Sequence, residues 1–176
     1  MNGMLEAPIS NFGVEGIRKA AKRALKWTEQ MDKEALRWTL FNTHIFIDAE
    51  GGTDGGLFRY IFGRFLRQAA EITGADGLEE SATAFYHIRD RWQEVAEIFK
   101  RGWKAPDPVA VLAETTAPLM ELAGLEKAAW GRLTSSSRRR YQSCVPWFYA
   151  GWSLPRTALP LAGERCWCDR CSGSCR

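Results

Sequence analysis

The chain has 176 residues, 45% of them apolar and 26% charged, with a formal net charge of +3. That length suits one domain with a real core, and no apolar run approaches the roughly 18 residues of a membrane-spanning helix. Residues 1–133 carry 17 Lys and Arg against 19 Asp and Glu, while 134–176 carry seven Arg against Glu164 and Asp169, so the main body offers no basic surface for nucleic acid.

The N-terminus lacks the basic-then-apolar order of a secretory signal, which predicts a cytoplasmic protein without membrane partners. Helical spacing of Val14, Ile17, Ala21, Ala24 and Leu25 predicts a first helix over 14–30. Asp32 is placed to cap a second helix whose stripe is Leu36, Leu40, His44 and Ile47. Paired glycines at Gly51 and Gly52 predict its end in a left-handed residue.

A third helix is expected to open at Asp54–Gly56 and run to about Thr73. Its stripe is Leu57, Ile61, Phe65, Leu66, Ala69 and Ile72, widened by Phe58 and Phe62. Gly74 and Gly77 frame a short turn, and a fourth helix runs from Leu78 to about Lys100. Asp107-Pro108 is a strong start signal for the next helix, within which Pro118 predicts a kink or a split. No window alternates with period two, so the fold class is all-α, a bundle or orthogonal array of about five to six helices over 1–133.

The tail, 134–176, changes character: seven Ser, seven Arg, five Cys, three Trp and three Pro, with no Lys. It is expected to be irregular or disordered. Its Cys166, Cys168, Cys171 and Cys175 form C-x-C-x2-C-x3-C, four thiolates within reach of one zinc ion, although zinc sites usually pair two knuckles across a longer spacer. Free thiols are the competing reading. No cofactor is expected.

Two constellations in the helical part carry candidate chemistry. The glycine run Gly51–Gly56 before a helix exposes backbone N–H groups and a positive dipole end. Gly55, Gly56, Arg59 and Tyr60 are therefore the candidate contacts for an anionic ligand or partner, with Phe58 and Trp92 as walls. The plainer reading of the same run is a helix-capping turn, since it matches neither dinucleotide nor phosphate-loop spacing. His44 and Asp48, four residues apart on one helical face, are a candidate acid/base pair; a packed histidine is the plainer alternative. No catalytic nucleophile is assigned.

The stretch "AEGGTDGGLFRYIFGRFLRQAAEITG", with "DRWQEVAEIFKRG" at Asp90–Gly102, resembles the helical domain of unknown function that follows the butirosin biosynthesis protein H-like N-terminal domain. The turn Gly52-Thr53-Asp54-Gly55-Gly56, the pair Phe58-Arg59 and the segment Phe65-Leu66-Arg67-Gln68-Ala69-Ala70 carry the resemblance, which covers about residues 14–133. Asp54 departs from the glycine expected there. The resemblance implies an accessory, substrate- or partner-shaping part of an acyltransferase or peptidase-like protein of secondary or peptide metabolism. It implies a papain-like cysteine domain or an acyl carrier protein as partner, and no activity for this chain alone. The aromatic content, eight Trp and nine Phe, supports a rival reading as a self-associating interaction module or homodimer.

Overall fold

The computed structural model describes the backbone of residues 2–51, 53 and 55–144, and of these the side chains up to Ser135 other than Asn2 and Glu50. The chain divides into two units, Met1–Tyr141 and Gln142–Arg176, and the hydrophobic core lies within the first. Cys166, Cys168, Cys171 and Cys175, and likewise Gly52 and Asp54, lie outside the described residues.

The fold is all-α, as the periodicity predicts, with no strand among the described residues. The helices are α1 (Gly13–Arg23), α2 (Trp27–Gln30), α3 (Lys33–Ile47), α4 (Arg59–Thr73), α5 (Leu78–Lys104), α6 (Pro108–Ala113) and α7 (Thr116–Cys144). The expected single helix over 14–30 is broken by a 3-10 turn at Ala24–Lys26. This turn lets Ala24 reach the core and Trp27 stack on Phe99 at 6.4 Å.

Start signals are realised at side-chain level. Asp32 Oδ1 accepts from the Ala35 N–H at 2.8 Å and opens α3. Asp107 Oδ1 accepts from the Val109 N–H at 3.0 Å, with Pro108 at the first position of α6. The split expected at Pro118 falls earlier, at Glu114–Thr115, so Pro118 sits in the first turn of α7, where no N–H is needed. α7 continues past the change of composition at Thr134 to Cys144.

α5 is the central element. Its residues Phe85, Ile88, Trp92, Val95 and Phe99 are buried against Leu36, Leu40 and Ile47 of α3, Leu66 of α4, Leu112 of α6, and Leu119, Leu122 and Trp130 of α7. Glycine allows the closest of these approaches. A Cβ on Gly63 of α4 would stand 2.9 Å from the Tyr86 ring of α5.

Two sequence expectations fail in instructive ways. α3 does not end on a glycine: it stops at Ile47, with Asp48 in extended conformation, and a 3-10 turn carries Ala49–Gly51. α4 packs inward through Phe62, Gly63 and Leu66, whereas Ile61, Phe65 and Ile72 of the expected stripe face outward. The helix is apolar on both faces, so spacing alone identifies the stripe but not which side docks.

Candidate functional site

The connection from α3 to α4 is built by four successive left-handed residues. Gly55 (φ 84°), Gly56 (φ 62°), Leu57 (φ 52°) and Phe58 (φ 67°) all have positive φ. The glycines accept this freely; Leu57 and Phe58 are strained at roughly 1–2 kcal/mol each. The helix therefore starts at Arg59 rather than at Asp54–Gly56. Around the turn, Gly56 N–H donates to Ile47 O at 2.9 Å, Phe58 N–H to Thr53 O at 3.2 Å, and Thr53 Oγ1 to Phe46 O at 2.9 Å.

In this geometry the glycine run is a packed turn. Both Gly55 and Gly56 are buried, and the Gly56 N–H is already spent on Ile47. The turn is held against α5 so closely that a Cβ on Gly56 would stand 2.8 Å from Arg89 Cα. The glycines serve close packing.

Arg59 turns inward. Its Nε donates to Glu126 Oε1 at 2.7 Å and its guanidinium also reaches Leu57 O at 2.7 Å. Glu126, fully buried, accepts in addition from Trp92 Nε1 at 3.0 Å and Trp130 Nε1 at 2.7 Å. One carboxylate thus gathers a guanidinium from α4 and indole donors from α5 and α7, which satisfies a charge that would otherwise be costly to bury. In this placement the Arg59 guanidinium faces the core rather than solvent. Glu126 itself was missed by sequence reading; its setting, at i and i+4 with Trp130 on an otherwise apolar face, was the available signal.

Tyr60 is exposed and lies 5.8 Å from the Tyr86 ring, with the Arg64 and Arg89 guanidinium groups 6.0 Å and 5.7 Å from its centroid. His44 and Asp48 are brought together as their spacing predicts, Nδ1 to Oδ2 at 3.8 Å, both side chains buried. His44 Nδ1 makes no hydrogen bond. Asp48 Oδ2 accepts instead from Gln93 Nε2 at 2.7 Å, while Gln93 Oε1 accepts from the Ala49 N–H at 3.2 Å. Gln93 of α5 therefore pins the end of α3 to the start of the turn. Among the described residues no group of three His, Cys, Asp or Glu is placed to hold a metal ion.

Behind the turn opens an apolar cleft of about 440 Å³. Ala20, Ala24 and Trp27 form one wall, Thr39, Asn42, Thr43 and Phe46 of α3 the other, and Leu57, Trp92 and Phe99 the floor. The threonine hydroxyls donate to Ala35 O and Thr39 O at 2.9 Å and 2.8 Å, which leaves their lone pairs and the exposed Asn42 amide as the polar features of the wall. The lining is mostly apolar and aromatic, with few polar groups.

A family model described as a domain of unknown function, DUF4872, matches residues 1–133. The chain belongs to the DUF4872 family. No curated protein and no solved structure matches it. The DUF4872 match takes in every described element of the cleft, the left-handed turn and the Glu126 cluster. Among the described residues of this DUF4872 chain, no helix is long and apolar enough to cross a membrane.

Proposed function

We infer that this chain is an accessory helical domain that shapes a substrate or partner for a butirosin-H-like acyltransferase or peptidase-like protein and performs no catalysis alone. The observation that carries this reading is the cleft of about 440 Å³ lined by Trp27, Phe46, Trp92 and Phe99. Such a surface supplies apolar contact and orientation, while covalent chemistry needs an activated nucleophile from elsewhere. In this reading an acyl group lies along Trp27, Phe46 and Phe99, and Asn42 bonds its polar end. A papain-like cysteine domain or an acyl carrier protein is the fitting partner.

The test is titration of the full chain with a series of acyl thioesters of N-acetylcysteamine, following Trp fluorescence. Saturable binding that strengthens with acyl length, and that Ala20→Trp weakens about tenfold by filling the cleft mouth, is the expected result. Absence of saturation across the series would remove the cleft from the reading. A second reading, a non-catalytic helical interaction module, is favoured by the row of exposed apolar side chains on α4.

A further inference from the structure

The outer face of α4 is built like one half of a symmetric contact. Ile61, Phe65 and Ile72 of α4 are 47%, 57% and 84% exposed, and Phe58, the left-handed residue just before the helix, is 56% exposed; the opposite face of α4 already packs on α5 through Gly63 and Leu66. The row is balanced about Phe65. Phe58 and Ile72 lie seven positions to either side, and Ile61 and Ala69 four to either side. An antiparallel copy of α4 crossing at a two-fold axis on Phe65 therefore sets Phe65 against Phe65 and Ile61 against Ala69, with Ile72 toward the Phe58 end of the second copy.

We propose that α4 is the interface of a homodimer, its occupant being α4 of a second copy in antiparallel orientation with Phe65 on the axis. This deepens the interaction-module reading and is independent of the cleft. Charge fixes the orientation. Arg64 and Glu71 are exposed on the same flank of the row, at 100° per residue. A parallel two-fold pairing would place the Arg64–Glu71 flanks of the two copies on opposite sides of the contact, where they do not meet. The antiparallel pairing leaves Arg64 about 7.5 Å along the axis from Glu71 of the second copy, at 1.5 Å per residue. Helical side chains lean toward their own N-terminus, so in antiparallel helices these two lean toward each other.

The four apolar residues present roughly 400 Å² of exposed side chain, about half of the ~800 Å² that each partner contributes to a stable interface. Arg64, Gln68, Ala69 and Glu71 lie beside them to extend the contact.

Sedimentation velocity on the full chain over a wide concentration range tests the proposal. A reversible monomer–dimer equilibrium is expected, with Phe65→Glu monomeric. Arg64→Glu and Glu71→Arg should each weaken dimerisation about tenfold, and the double variant R64E/E71R should return to within about threefold of the original. The charge pair is exposed, so the swap remains decisive even if Phe65→Glu fails to fold. A monomer throughout, an assembly larger than two, or a dimer indifferent to Arg64→Glu overturns the proposal, because a closed two-fold contact stops at two. Failure of the double variant to recover overturns the antiparallel register. None of these outcomes bears on acyl-thioester binding.

Discussion

Arg59 Nε and Glu126 Oε1 meet at 2.7 Å across 67 residues of sequence, and the carboxylate is fully buried. The same oxygen accepts from Trp92, and the other oxygen from Trp130. The interaction is thus a closed polar cluster inside an apolar core, with every donor drawn from a packed helix.

Removing one member of the cluster strands the others. Glu126→Gln keeps the shape but leaves the Arg59 charge unpaired, and should cost about 3–5 kcal/mol in urea unfolding. The double variant Arg59→Met/Glu126→Leu should cost clearly less than the sum of its singles. By contrast Arg91→Ala, which breaks the surface bridges from Arg91 to Glu94 and Glu121, should cost under about 1 kcal/mol. Equal losses for the two sites would show that burial confers nothing on the inner pair.

Three glycines give a graded series. Gly56→Ala combines a left-handed φ with a Cβ 2.8 Å from the Arg89 backbone, which cannot withdraw, and should lose more than about 2 kcal/mol. Gly63→Ala meets the Tyr86 ring at 2.9 Å, and that half-buried ring can swing aside at about 1–2 kcal/mol. Gly74→Ala has open space around it and only the φ of 57° to oppose it, so about 1 kcal/mol is expected. Thermal unfolding of the three variants gives the order directly.

Phe58 is strained and exposed at once, an unusual pairing. Asparagine tolerates the left-handed region better, so Phe58→Asn should hold or raise stability by up to about 1 kcal/mol at a dilution where the chain is monomeric. Phe62→Ala, on the inner face beside Phe85 and Trp130 at ring distances of 4.7 Å and 4.9 Å, should lose about 2–4 kcal/mol. A loss for Phe58→Asn as large as that for Phe62→Ala would refute the assignment of the strain.

Gln93 offers a test of the joint between α3 and the turn. Gln93→Ala removes the donor to Asp48 and the acceptor of the Ala49 N–H, for about 1–3 kcal/mol. Hydrogen exchange should quicken at the Ala49 amide well before the amides of α5 respond. Uniform quickening would mean that Gln93 supports the whole core.

The starts of α3 and α6 were legible because Asp32 and Asp107-Pro108 act locally, through hydrogen bonds two or three residues away. The central helix was legible because Phe85, Ile88, Trp92, Val95 and Phe99 leave only one face to bury. The α4 phase was not, since Phe58, Ile61, Phe65 and Ile72 offer spacing as regular as that of Phe62 and Leu66. The glycine run was recognised as a turn, but its left-handed course through Leu57 and Phe58 depends on α5 lying beneath it. Arg59 looked like an outward grip because its partner stands 67 positions away, and a lone Glu126 carries no local mark of burial. The proximity of His44 and Asp48 followed from helical spacing; Gln93 between Asp48 and Ala49 is a tertiary contact that no spacing rule contains.

The Glu126 cluster also sets α7 in phase. The apolar contacts of Leu119, Leu122, Ala129 and Leu133 are non-directional, whereas the hydrogen bonds of Glu126 fix both distance and angle. A slip of α7 by one turn would move the carboxylate about 5.4 Å along the axis, out of reach of both Arg59 and Trp92. The cluster therefore works as a key among otherwise non-directional contacts, admitting one alignment of three helices and rejecting its near neighbours.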